Sequence, residues 1–193
     1  MDERIEKVIN SLKLNNINSV YCETKEDVVK YVENLLPKEA LITSGGSMSL
    51  IESGVWDLIN KPCYNFLNRN RAGITLEEQM EIYKQVIGID YYFCSANAVT
   101  ENGELLNVDG FANRISAIAF GPKKIIMVVG ANKIVKDLDE AFGLMETVEK
   151  AAQLYMLATA SGSIINTITD ENLWATVERF QLEDMCRKDF LDL

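Results

Sequence analysis

The chain has 193 residues, 48% of them hydrophobic and 25% charged, with a net charge of −10. That length buries a self-sufficient core, read as one domain with an appendage and needing no disulfide or metal staple. The acidic balance repels phosphate backbones, so no nucleic-acid partner is expected. Histidine is absent, which removes the commonest general acid/base, the usual metal ligand and every Ser–His or Cys–His pair.

In chain order, apolar residues at helical spacing (Ile5, Val8, Ile9, Leu12) predict a helix from Asp2 to Leu14. Ser19–Cys22 reads as a short strand, and Thr24 as the N-cap of a helix from Lys25 to Leu36, with Asp27 as a partial capping box. Ala40–Thr43 reads as a buried strand, followed by the turn Ser44-Gly-Gly-Ser47 and a helix from Ser49 to Ile59. This alternation builds parallel sheets. Residues Asn60–Ile74 are loop-like, and Thr75 with Glu78 forms a capping box for a helix to about Val86. Ile89–Cys94 is a strand, Asn102-Gly103 a hairpin turn, and Asn113–Phe120 a helix. Ile125–Val129 is wholly apolar, as a parallel strand covered on both faces should be. A helix starts at Asp137 and runs through Met145 toward Ala160, and another spans Thr169 to about Phe180. A composition shift near Thr147 divides an α/β domain, 1–146, from a helical appendage, 147–193.

Cys22, Cys63, Cys94 and Cys186 show no Cys-x-x-Cys spacing, so neither a metal centre nor a cofactor is expected. Cys63 and Cys94 lie beside apolar residues and read as core thiols. No signal-peptide pattern or membrane-length apolar run is seen, so the expected setting is a reducing cytoplasm with no membrane partner.

Polar residues gather where strands end. The glycines of Ser44-Gly45-Gly46-Ser47 let backbone amides approach an anion; the same turn equally serves as a tight strand-to-helix link. Ser95, Asn97, Glu101, Asn107, Asp109, Gly110, Asn113 and Arg114 exceed what a hairpin requires. Asp109 reads either as an acid/base or as a helix cap, and Arg114 either as an anion clamp or as its partner. Lys133 follows the apolar strand, at a usual ligand position or as a solvated lysine. Arg69 and Arg71 reach an anion or stay on the surface.

Four separated motifs carry a resemblance. They are Ser44–Glu52, Ser95–Gly103, Asn107–Gly110 with Asn113-Arg114, and Phe120–Lys124 with Asn132–Val135. Together they look like the LUD (lactate-utilisation) domain family, in its small stand-alone group. The resemblance implies a three-layer α/β/α fold with a mostly parallel sheet, similar to ribose-5-phosphate isomerase, glucosamine-6-phosphate deaminase and CoA transferases. It also implies a ligand over the strand C-termini. The closely spaced thiols of the usual family tail have no counterpart after Cys94 except Cys186, so no redox or metal role carries over. Instead, Glu149–Ala158 and Ile165–Trp174 are similar to the C-terminal helices of class II (fuculose-phosphate-type) aldolases, whose metal-binding histidines are absent here.

The expected function is binding of a small anionic metabolite, phosphorylated or CoA-like, in lactate or organic-acid use. Asp109 or Glu101 would be the catalytic carboxylate, and Arg114 or Lys133 the counter-charge. The alternative is a non-catalytic regulatory or assembly subunit. The amphipathic tail predicts a homodimer.

Overall fold

The computed structural model describes residues 2–160. Helix α1 (Glu3–Leu14) is capped by Asp2, whose carboxylate accepts from the Arg4 N–H at 2.8 Å. Helix α2 (Lys25–Leu35) is capped by the Thr24 hydroxyl, which accepts from the Asp27 N–H. The strand predicted at 19–22 does not form: Val20 and Tyr21 are exposed, and no strand among the described residues pairs with them. Strand β1 (Leu41–Ser44) follows. The single helix predicted over 49–59 is two, α3 (Met48–Glu52) and α4 (Val55–Ile59), because Gly54 between them turns left-handed at φ 77°. A two-residue strand, β2 (Asn65–Phe66), lies within the predicted loop.

Helix α5 (Leu76–Gln85) carries the full Thr75–Glu78 capping box. Strand β3 (Tyr91–Cys94) is wholly buried. The hairpin pairs β4 (Ala98–Thr100) with β5 (Leu105–Leu106), and then come α6 (Asn113–Ala119) and β6 (Lys124–Met127). A 3-10 turn over Ala131–Lys133 leads to β7 (Ile134–Val135), and α7 (Leu138–Ala160) is one continuous helix, as the sequence suggests. The chain divides into two compact units, 1–138 and 139–193. The domain boundary expected at 146/147 lies inside α7. The helix predicted over 169–180, the Ile164–Ile165 run, Trp174 and Cys186 lie outside the described residues.

In the first unit, a four-stranded parallel sheet has the order β2-β1-β3-β6. The register sets Ile42 beside Tyr91 and Ser44 beside Phe93, so side chains alternate between two faces. One face buries Ile42, Tyr91 and Phe93 against Val32, Leu50, Val55 and Leu58 of α2, α3 and α4. The other buries Tyr92 and Cys94 against Val86 and Ala117, which adjoin α5 and lie on α6. This is a three-layer α/β/α arrangement. Each fully buried large apolar side chain contributes about 1.5–3 kcal/mol.

The apolar run at 125–129 forms the parallel strand β6, with Ile126 and Val128 packed on one face of the sheet and Met127 on the other. Among the described strands it is an edge paired with β3, and Ile125 is 36% exposed. A second small sheet, β5-β4-β7, packs Ala96 and Val99 under Val8 and Leu12 of α1.

Candidate functional site at the strand ends

The chain leaves β1 through Ser44 and turns at once. The Gly45 N–H donates to the Phe93 carbonyl at 2.8 Å, which presses the turn against β3. A Cβ on Gly45 would sit 2.9 Å from the Tyr92 hydroxyl, and one on Gly46 would sit 3.2 Å from Arg69 Nη2. Glycine is needed at position 45 for close approach to buried Tyr92, while a side chain at 46 would push the Arg69 guanidinium by a few tenths of an ångström. Ser47 caps α3, its hydroxyl accepting from the Leu50 N–H at 3.4 Å.

Two polar atoms at this turn are buried with no protein partner, Ser44 Oγ and Arg69 Nε. Arg69 is fixed by other contacts. Its Nη1 donates to the Tyr83 hydroxyl, its guanidinium lies 5.3 Å from the Tyr83 ring centre, and its carbonyl accepts from Gln79 at 3.1 Å.

Next to the turn, β3 runs into Ser95, which is 2% exposed. Two cations converge on this residue. Lys133 Nζ donates to Ser95 Oγ and to the Ala96 carbonyl, both at 3.0 Å. Arg114 Nη1 donates to the Ser95 carbonyl at 3.3 Å. Arg114 Nη2 also donates to Asn97 Oδ1 at 2.6 Å and to the Val108 carbonyl at 2.5 Å. The Ser95 hydroxyl reaches Ser49 Oγ at 3.5 Å, which links β3 to the start of α3.

Asp109 lies in the loop before α6. Its carboxylate accepts from the N–H groups of Phe111 (3.3 Å), Arg114 (2.6 Å) and Ile115 (3.1 Å). Burial opposes its charge, but these N–H groups and the Arg114 charge outweigh burial and hold the carboxyl below the usual range. Lys133 is held below the usual lysine range by burial and then by Arg114, against a smaller pull from Glu52. Burial pushes the Cys94 thiol up to about 12, with Arg114 opposing. Burial and then Cys94 push the Tyr92 phenol well up, against Arg69 and Arg114. Tyr92 and Cys94 are therefore neutral at physiological pH, and the strand ends carry the cations Arg114 and Lys133 beside one carboxylate, Asp109.

The structure brings Ser95, Asn97, Arg114, Lys133 and Asp109 into one hydrogen-bonded cluster beside the Ser44–Ser47 turn. Asn107 Oδ1 is buried there without a partner. Asn113 opens α6, and Gly110 faces open space. Glu101 is engaged elsewhere: its carboxylate accepts from Arg4 at 2.7 Å and Lys7 at 2.9 Å, tying the hairpin to α1. Arg71 pairs with Glu78 at the surface. Cys63 is exposed, which corrects its reading as a core thiol; Cys94 is buried as expected. Among the described residues, no acidic, cysteine or histidine group could hold a metal, and no helix is long and apolar enough to cross a membrane.

Arg69 is left undecided by the sequence, while Tyr92 is a buried core residue. Ser49 reads from sequence only as a helix start or cap, and Glu52 has no role there. The available signal for Arg69 was its place in the loop Asn68-Arg-Asn-Arg71. What decides its role is a fold that lays that loop against Gly46.

Fold and site together define a three-layer α/β protein with a glycine turn and a cationic cluster at the strand ends. The chain belongs to the LUD domain family, whose profile matches residues 5–179. Its C-terminal part is similar to rhamnulose-1-phosphate aldolases. The relative from Listeria monocytogenes (strain HCC23) is 52% identical over 48 residues, 25% of this chain and 18% of the relative. The one from Enterococcus faecalis is 49% identical over 45 residues, 23% and 16% of the two chains. The chain thus spans under a fifth of these relatives' length. No solved structure matches it.

Proposed function

We propose that this LUD-domain protein binds a small anionic metabolite, phosphorylated or CoA-like, over the C-terminal ends of β1 and β3, in lactate or organic-acid utilisation. One observation carries the reading. In a chain of net charge −10, Arg69, Arg114 and Lys133 flank the glycine turn, and none makes a direct ion pair with a carboxylate among the described residues. Partly burying cations without a directly paired carboxylate is costly, and Asp109 and Glu52 act on Arg114 and Lys133 only through space. An incoming anion offsets that cost.

In this reading, the Gly45–Ser47 amides and Arg69 hold the anion, while Ser95 and Lys133 face its reacting end. Arg114, Asn97 and Asp109 position the loop. The commitment of the Asp109 carboxylate to the α6 N–H groups supports a positioning part rather than proton transfer. It also favours the second reading, a non-catalytic regulatory or assembly subunit. We assign the fold to the sugar-phosphate isomerase and CoA-transferase type, and the chain to a homodimer in which exposed Phe111 and Phe120 meet a second copy.

The test is a thermal-shift series with inorganic phosphate, sugar phosphates, CoA and lactate. The expected result is stabilisation by one class that disappears in Ser47→Ala and Arg69→Met. No stabilisation by any of them would overturn the binding reading.

A further inference from the structure

The proposed anion site leaves the part of Lys133 open, and its geometry goes further than counter-charge. A lysine used only to neutralise an anion is normally mobile and solvated. Lys133 is half-buried, and its ammonium is docked on two neutral oxygens, Ser95 Oγ and the Ala96 carbonyl. Nζ has three bonding directions, and these two acceptors leave one for an incoming group. Arg114, docked on the same Ser95 through its carbonyl, places a second positive charge beside it. Desolvation next to another cation is how proteins turn a lysine into a free-amine nucleophile.

Resting on the anion-binding reading above, we propose that Lys133 forms an imine with the carbonyl carbon of an anionic aldehyde or ketone. The class is 2-oxo acids or ketose phosphates. The anionic end sits on the glycine turn and Arg69, and the carbonyl carbon lies at Lys133.

The step balances without oxidant or reductant. The neutral Nζ attacks the carbonyl carbon, and a proton passes from nitrogen to oxygen, giving a carbinolamine. The oxygen then leaves as water with a second proton, and a C=N bond remains. The Ser95 hydroxyl is placed to relay these protons, since it accepts from Nζ and contacts Ser49 Oγ. Transfer of a proton from the adjacent carbon to the imine nitrogen, relayed by the released water or the Ser95 hydroxyl, gives an enamine; return of a proton to carbon and addition of water reverse the sequence and free the amine. Proton exchange or isomerisation next to the carbonyl follows, chemistry open to a protein without histidine.

The experiment is trapping with sodium cyanoborohydride on the whole chain, in parallel with pyruvate and with dihydroxyacetone phosphate, read by intact mass and peptide mapping. The expected result is one reduced adduct on Lys133, formed about tenfold or more faster than on exposed Lys123 and Lys124, because a bound carbonyl meets its amine at high effective concentration. Pyruvate labelling alone would assign a carboxylate ligand, and dihydroxyacetone phosphate labelling alone a phosphate ligand; either supports the proposal.

Labelling of Lys133 no faster than of Lys123 and Lys124, with both probes, overturns it. If that occurs while the probes still stabilise the protein thermally, imine formation fails and anion binding stands; without stabilisation, both fail. Excess inorganic phosphate serves as the second measurement on the unmodified chain. It should slow labelling at Lys133 and leave Lys123 unchanged, and equal slowing or none at both sites also overturns the proposal. Lys133→Arg should remove the selective adduct.

Discussion

Two polar segments of this chain look alike in sequence and behave differently in the fold. The segment Asn97–Arg114 closes on itself: Asn97 Oδ1 takes Arg114 and the Val108 N–H, and Asp109 takes the backbone of α6. Asn107 Oδ1 is its one buried polar side-chain atom left open. The turn Ser44–Ser47 does the reverse. It places Gly45 where a side chain would collide with Tyr92 and Gly46 in tight contact with Arg69, and leaves Ser44 Oγ and Arg69 Nε buried without a protein partner. Polar residues between apolar runs thus divide by where their hydrogen bonds go. A segment whose bonds are used internally builds a wall, and the proposed anion site lies where bonds are left over.

The comparison breaks first at Arg69. Arg69→Met should weaken binding of the stabilising anion about 100-fold, as loss of a desolvated charge partner does, with the native circular dichroism spectrum retained. Isothermal titration checks it, and unchanged affinity would make the turn a purely structural link. Asp109→Ala should do the opposite, costing about 2 kcal/mol of stability in urea titration, as loss of a helix cap does, with anion affinity kept within about tenfold. A large affinity loss at full stability would move Asp109 into the site.

Glu101 sharpens the same division. Lys7 and then Arg4 hold its carboxyl below the usual range, against burial. A carboxyl lowered on folding binds its proton first in the unfolded chain. Its stabilisation is therefore present above the ordinary Glu value near 4.3 and is lost as pH falls through the lower folded value. Glu101→Gln should cost about 1 kcal/mol at neutral pH and flatten the acid limb of a stability–pH curve, without changing anion affinity. The smallest effect is at Phe120, 79% exposed. Phe120→Ser should change stability by less than about 0.5 kcal/mol, yet shift light scattering from dimer to monomer. A monomeric unmodified chain would sink the dimer outright.

Much of the fold was legible because its signals are local. The capping box at Thr75 and Glu78, the Asn102-Gly103 hairpin and the helix toward Ala160 depend on residues close in sequence. The misses are non-local. Ser19–Cys22 has the composition of a strand but no neighbour to pair with. Ile125–Val129 forms the parallel strand its composition indicates, and only its place at the edge of the described sheet was hidden from local sequence. Strands β2 and β7 are two residues each and exist only through their partners. In the site, strand-end logic pointed to Lys133 and the glycine turn. The role of Arg69 depends on a loop laid against the glycine turn from a separate part of the chain, which no local spacing encodes.

The clasp between α1 and the hairpin has a consequence for synthesis. Arg4 waits for Glu101, 97 residues later, and Asn15 for the backbone of Asn102 and Gly103. At translation rates of 5–20 residues per second, the first helix leaves the ribosome with Val8 and Leu12 uncovered for about 5–20 s. During that interval the nascent N-terminus is a client for whatever chaperone meets it. Cells short of chaperone capacity should lose this protein during its synthesis, well before they lose the finished fold.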